Sequence, residues 1–200
     1  MRNQEETNYE VIIVGAGPSG LAAALTLLEE GISDVIVIER FEFPRYKCCA
    51  GYITEKTKAV YETFGLNIEE AHYSLIRDFN IFYRLKKRQT ILNKFLYTNR
   101  TIDRVELDNT FAELAKSKGI QIKENTTISE HDADKKELKL SNGEILTYEK
   151  LIFADGTSGF GSRLQPARKK NIAMQLVFPN SAAEEIQIHF GITKHGYGWV

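Results

Sequence analysis

Residues 9–40 read YEVIIVGAGPSGLAAALTLLEEGISDVIVIER. The β-branched apolar run at positions 11–14 leads straight into Gly15-Ala16-Gly17-Pro18-Ser19-Gly20. An alanine- and leucine-rich stretch over 19–30 follows and closes at Gly31, and a second apolar run at 35–38 ends on Glu39-Arg40. Strand, glycine turn, helix, strand and acid, in that order, make up the βαβ unit that binds dinucleotides. Gly15 lets the strand turn sharply, Gly17 lets backbone approach a pyrophosphate, and Gly20 lets the helix sit close to the sheet. Pro18 and Ser19 open a helix whose first N–H groups and positive dipole end face the phosphates. Glu39, nineteen residues after Gly20, stands where an acid accepts hydrogen bonds from a ribose diol. An accidental glycine turn would lack the strand, the helix and the acid.

Composition narrows the remaining classes. Two hundred residues allow one large domain or one and a half ordinary ones. An apolar fraction of 42% and a charged fraction of 26% are those of a soluble globular chain. Lysine plus arginine (26) nearly balance aspartate plus glutamate (27), so charge gives no argument for a nucleic-acid partner. The two cysteines, Cys48 and Cys49, are adjacent, a spacing that seldom closes a comfortable disulfide. With no histidine or third cysteine at ligand spacing, no metal is expected, and the chain reads as cytoplasmic and thiol-bearing. No apolar run approaches the roughly twenty residues of a membrane span. The polar, acidic start MRNQEETNYE is unlike a signal peptide. Peripheral membrane contact is compatible with all of this, and the sequence is silent on oligomeric state.

Changes of periodicity mark further elements. Residues 41–51 form an irregular basic and aromatic loop, and 54–64 have helical spacing up to Gly65. Residues 76–85 and 91–98 alternate as two strands, and 103–118 form an amphipathic helix ended by Gly119. A short strand at 120–123 precedes a meander of 126–131, 137–140 and 144–148, whose last turn is the hairpin signal Asn142-Gly143. Residues 151–154 return as a buried strand ending in Asp155-Gly156, and 172–178 and 185–190 are strand-like.

Three sites add chemistry to the fingerprint. The loop FPRYKCCAG (43–51) leaves the carboxyl edge of the sheet, where open α/β folds bind ligands. Arg45 and Lys47 could meet phosphate or an anionic substrate there, and Cys49 could bring a thiol against a flat ring. The same residues also read as a solvated basic loop with two buried cysteines acting as small hydrophobes. Asp103-Arg104 starts the amphipathic helix, with Glu106 completing a box-like cap, so Arg104 either points at a cofactor or lies on the surface. Asp155-Gly156 can accept from ribose or ribityl hydroxyls, or be a plain turn.

GAGPSG with Glu39-Arg40, FPRYKCCAG, Asp103-Arg104 with LDNTFAELAKSKG, LIFADGTSGFGSRL and the terminal GYGW occur in an order that resembles flavoprotein oxidoreductases of the p-hydroxybenzoate hydroxylase superfamily. Within it the chain is most similar to the geranylgeranyl reductase family and its PRxKxCGG-like loop. The resemblance implies FAD at the fingerprint. Gly15, Gly17 and Gly20, with Pro18 and Ser19, would take the pyrophosphate, Glu39 (beside Arg40) the adenosine ribose, Arg104 a second FAD contact, and Asp155-Gly156 would be the family's so-called DG motif. Arg45 and Lys47 would lie near the flavin, Cys49 on the substrate side of its ring as the catalytic candidate, and Cys48 in packing. Two departures stand out. Ala50 replaces the family's glycine after the cysteine, and the family's later glycine-aspartate motif is not among these residues. The expectation is the N-terminal part of a longer protein, the alternative being a shortened relative with a damaged flavin site.

The expected architecture is α/β. A Rossmann-like FAD-binding domain, residues 1–75 and 101–165, carries a three-stranded antiparallel meander. Residues 76–100 and 166–200 supply part of an antiparallel substrate-binding sheet. The expected activity is hydride transfer from reduced FAD to an isoprenoid or related lipid C=C bond, with a hydrophobic small molecule as substrate and NAD(P)H or a ferredoxin-like donor as reductant. The alternatives are an aromatic-ring monooxygenase or halogenase-like enzyme, and an FAD-binding fragment without turnover.

Overall fold

The computed structural model describes residues 7–70, 73–76, 78–92, 100–164, 172–176 and 185–200. In chain order the elements are β1 (Thr7–Val14), α1 (Pro18–Glu29), β2 (Val35–Ile38), β3 (Tyr52–Ile53), α2 (Glu55–Thr63), β4 (Tyr73–Leu75), β5 (Asp78–Tyr83) and β6 (Lys86–Leu92). They continue with β7 (Arg100–Ile102), α3 (Arg104–Ser117), β8 (Gln121–Lys123), β9 (Ile128–Asp132), β10 (Glu137–Leu140), β11 (Ile145–Phe153), β12 (Glu185–Phe190) and β13 (Tyr197–Trp199).

The chain packs as two compact units. The first comprises Met1–Tyr46, Phe64–Leu66 and Val105–Ile172. Its six-stranded sheet runs β8-β2-β1-β11-β10-β9. The β8-β2, β2-β1 and β1-β11 pairs are parallel, and β11-β10 and β10-β9 are antiparallel. Val11–Val14 and all of β2 are buried, because helices or meander cover both faces of such strands and leave no room for polar alternation. Ile12, Val14, Ile36 and Ile38 form one buried core cluster with Leu138, Leu140, Leu146 and Tyr148. On α1, Leu21, Ala24 and Leu25 form the buried stripe, and the helix packs on β1 and β2.

The meander is tied at Asn142-Gly143. Gly143 takes φ +87°, and the Glu144 N–H donates to the Asn142 side chain. The expected strands 144–148 and 151–154 are one continuous strand, β11. Glu149 and Lys150 are exposed, but their polarity is no break, since the β1 pairing runs on through Lys150.

The second unit comprises Lys47–Thr63, Asn67–Arg104 and Ala173–Val200. These limits differ from the expected 76–100 and 166–200. The short strands β3 and β4 pair with β7 and carry residues 47–63 and 67–75 into this unit. Its other sheet runs β13-β12-β5-β6 and is mixed rather than purely antiparallel, because β12 lies parallel to β5. The β5-β6 hairpin turns at Arg84 (φ +46°) and Leu85 (φ +63°), so the strand expected to reach residue 85 ends at Tyr83 and its partner begins at Lys86. Most of the expected strand 91–98 lies outside the described residues. Residues 172–176, expected as a strand, have no regular pairing, and Ile172, Met174 and Leu176 are exposed. Arg100 on β7 is buried, pairs with Glu69 at 2.8 Å and stacks on Tyr73. Hydrogen bonds from Lys58, Arg100 and Tyr73 pull the Glu69 carboxyl down to about 2.

Among the described residues no helix is long and apolar enough to cross a membrane, and no group of three potential ligands could hold a metal.

Candidate functional site

The carboxyl ends of β2, β1 and β11 meet at Gly15. Its N–H donates to the Ile38 carbonyl at 2.7 Å, and the Ala154 N–H donates to the Val14 carbonyl at 2.8 Å. Gly15 adopts φ +103°, and a Cβ there would lie 2.7 Å from the Ala154 carbonyl oxygen and 2.8 Å from the Asp155 Cα. Only glycine lets the β1 end pass so close to the β11 end. A Cβ on Gly20 would run into the Gly15 carbonyl, so α1 sits directly on the turn it follows. Gly17 caps α1 in an extended conformation, Pro18 occupies the first helical position, and Ser19 is exposed. α1 has no side-chain cap and no acid in its first turn. Its leading N–H groups and dipole are thereby left to an incoming anion.

Glu39 is nearly fully buried at the end of β2. One carboxylate oxygen accepts the Ala16 N–H at 2.9 Å, and the other accepts the Phe41 N–H at 3.2 Å. The acid and the glycine turn, which the sequence could only align by spacing, are thus hydrogen-bonded to each other. Arg45 is also buried. Its Nε lies 3.5 Å from Glu39, one terminal nitrogen donates to Asp108 at 3.1 Å, and the other donates to the Ala16 carbonyl at 3.2 Å. The guanidinium also stacks on Phe43, 4.8 Å from the ring centre. Asp108, on α3, is 1% exposed and escaped the sequence reading. Its signal was present: positions 108, 111, 112 and 115 form the buried stripe of α3, and an acid in an apolar stripe needs a partner.

Asp155 and Gly156 follow β11 next to Gly15. The Asp155 carboxylate accepts the Gly161 N–H at 2.9 Å, and a Cβ on Gly159 would meet that carboxyl group. Gly156 has φ +74° with open space around it. Sequence-distant residues 15–20, 39, 45 and 155–156 therefore belong to one compact unit and, at Gly15, to one sheet edge. Arg40 is in the same unit but exposed, its guanidinium 4.8 Å above the Phe41 ring.

Lys47, Cys49 and Arg104 belong to the second unit. Arg104 opens α3 and is half-buried, and Lys47 is exposed. Both cysteines are exposed, which removes the reading of either as a packed hydrophobe. Cys49 differs from Cys48 in its bonds. Its N–H donates to Gln175 at 3.0 Å, and its sulfur accepts the Gly51 N–H at 3.5 Å.

Known proteins extend this picture. A family profile described as FAD binding domain matches residues 8–160. An uncharacterized protein of Methanosarcina barkeri is 28% identical over 96% of this chain and 50% of its own length. Menaquinone reductase of Mycolicibacterium smegmatis is 28% identical over 75% of this chain and 38% of its own. The chain thus spans half or less of the length of these curated relatives. Among solved structures, the probable FAD-dependent monooxygenase PqsL of Pseudomonas aeruginosa superposes with a TM-score of 0.68, at 16% identity, over 91% of this chain and 54% of that one, a likeness of fold. With the match covering residues 8–160, from the start of β1 past the Asp155-Gly156 turn, the chain belongs to the FAD binding domain family.

Proposed function

We propose that this chain binds FAD along the Gly15 edge and serves an FAD-dependent oxidoreductase. The carrying observation is the junction at Gly15, where the uncapped α1 start, the buried Glu39 and the Asp155 turn share one sheet edge. These residues fit the cofactor. The α1 N–H groups would receive the pyrophosphate, Glu39 keeps lone pairs for a ribose diol, and Asp155, whose carboxylate holds the Gly161 N–H, keeps lone pairs for ribose or ribityl hydroxyls. Bound FAD supplies the two-electron redox centre that the side chains lack. The chain contributes binding, orientation and a dry floor of β-branched residues beneath the turn.

For the reaction, we favour reduction of a C=C bond in a hydrophobic isoprenoid or related lipid. Its support is the FPRYKCCAG loop together with 28% identity to a menaquinone reductase. Cys49, exposed and fixed through its N–H and sulfur, would border the substrate, and NAD(P)H or a ferredoxin-like donor would provide electrons. A monooxygenase is the second reading, because the fold is shared with PqsL and likeness of fold does not separate the two chemistries.

The test begins with the purified chain and FAD. Flavin absorbance should stay with the protein, Gly17→Val should lose it, and Glu39→Ala should weaken it by about 1–3 kcal/mol. Tight NADH binding without flavin would overturn the cofactor assignment. In the full-length protein, anaerobic saturation of a prenyl substrate supports the reductase. Flavin-dependent NAD(P)H oxidation in air that is stimulated by a phenol supports the monooxygenase instead.

A further inference from the structure

We infer that Arg45 and Asp108 are positioning residues for the adenosine half of the dinucleotide: Asp108 fixes Arg45, and Arg45 holds Glu39 and the Ala16 peptide in the geometry that accepts a ribose diol. The inference rests on the proposed FAD site and adds two roles to it.

The bonds close a ring. Glu39 accepts from the Ala16 N–H, Arg45 donates to the Ala16 carbonyl, and the Arg45 Nε faces Glu39 at 3.5 Å as an ion pair without hydrogen-bond geometry. Ala16 lies between Gly15 and Gly17, so both polar groups of a phosphate-turn residue are clamped, one by the acid and one by the arginine. A flexible glycine turn would otherwise have to find its conformation at each binding event, at an entropic cost.

Arg45 is itself held from a different element. Asp108 takes one terminal nitrogen from α3, and Phe43 supports the guanidinium plane. With both terminal nitrogens engaged and only 8% of its surface exposed, Arg45 has little left to offer a phosphate directly. A planar fork that meets three acceptors at once suits arginine and not lysine. A carboxylate has about four lone-pair sites, and Glu39 spends two of them on Ala16 and Phe41. The remaining two can meet a diol only if the carboxylate is held still; the Ala16 and Phe41 N–H groups set its plane, and Arg45 steadies it through the Ala16 carbonyl and the 3.5 Å ion pair.

The experiment compares calorimetric affinities of the full 200-residue chain for ADP and for 2′,3′-dideoxy-ADP, with thermal melting as the folding control. The parent should prefer ADP by about tenfold or more, the worth of hydroxyl bonds to a charged acceptor. Asp108→Asn, close in volume but without the charge, and Arg45→Lys should each bring that ratio to within about threefold of one while the chain still melts cooperatively. In a Glu39→Gln background, Asp108→Asn should leave the ratio unchanged, because its effect passes through Glu39. A parent-like ratio in both folded single variants would overturn the inference and leave the trio as packing. Loss of folding in both would overturn it too, marking the trio as a folding element. A parent that binds both nucleotides equally, or neither, would instead refute the ribose site itself, and the positioning roles with it.

Discussion

Replacing Gly15 with alanine tests the junction on which the site depends. Two costs add at this position. The backbone sits at φ +103°, where an L side chain is strained by about 1–3 kcal/mol. The new Cβ would also lie 2.7–2.8 Å from the Ala154 carbonyl and the Asp155 Cα, backbone atoms that cannot swing aside. Forcing them apart costs about another 1–3 kcal/mol, the usual range for overpacking. Gly119 supplies the matched control, since it belongs to the same compact unit, has φ +98° and would place its Cβ in open space. Gly119→Ala should therefore incur the backbone cost alone, and Gly15→Ala should exceed it by about 1–3 kcal/mol. Urea unfolding followed by far-UV circular dichroism measures both, with the slopes compared to check that the transition has not changed character. Equal destabilisation of the two variants would refute the claim that the ends of β1 and β11 are in backbone contact at Gly15.

Two further outcomes can be measured directly. Glu69 titrates near 2 in the folded chain instead of near 4.5, so its ion pairs stabilise fully above about pH 4.5 and are lost as pH falls towards 2. The gap in melting temperature between the parent and Glu69→Gln should accordingly be largest near neutrality and vanish in strong acid, and a gap that is constant with pH would refute the assignment. Cys48 and Cys49 are both exposed, so iodoacetamide should carboxamidomethylate both by mass spectrometry without denaturant. Protection of either until the chain is unfolded would contradict that surface placement.

The βαβ core was legible because each level agreed: apolar runs of strand length, glycines at the turn, a helix closed at Gly31, and an acid at the right distance. The Asn142-Gly143 hairpin and positions 107, 111 and 115 of the α3 stripe were legible for the same reason. The Arg84-Leu85 turn was hidden, since positive φ at two non-glycine residues has no compositional mark. β3, β4 and β7, with two or three residues each, exist only through pairing with one another, and no period can be read over so few positions. At the site, spacing alone aligned Gly15–Gly20 with Glu39, whereas Asp155 joined them only through the family resemblance, because that meeting depends on β11 lying beside β1. In sequence Arg45 reads either as a charge facing ligand or as part of a solvated basic loop. Its actual surroundings could be inferred only with Asp108 in view, and Asp108 looked like one more polar residue of an amphipathic helix.

The β1-β11 pairing also has a temporal side. The register matches Thr7 with Leu146, so β1 waits for a neighbour about 140 residues downstream, on the order of ten seconds of ribosomal synthesis. During that interval β2 can pair with one edge of the Val-Ile-Ile-Val segment while the other edge is unpaired and uncharged, the kind that recruits strands from other chains. A nascent chain stalled before β11 emerges would keep that edge open to other strands. The emergence of β11 both completes the cofactor junction and ends the exposure.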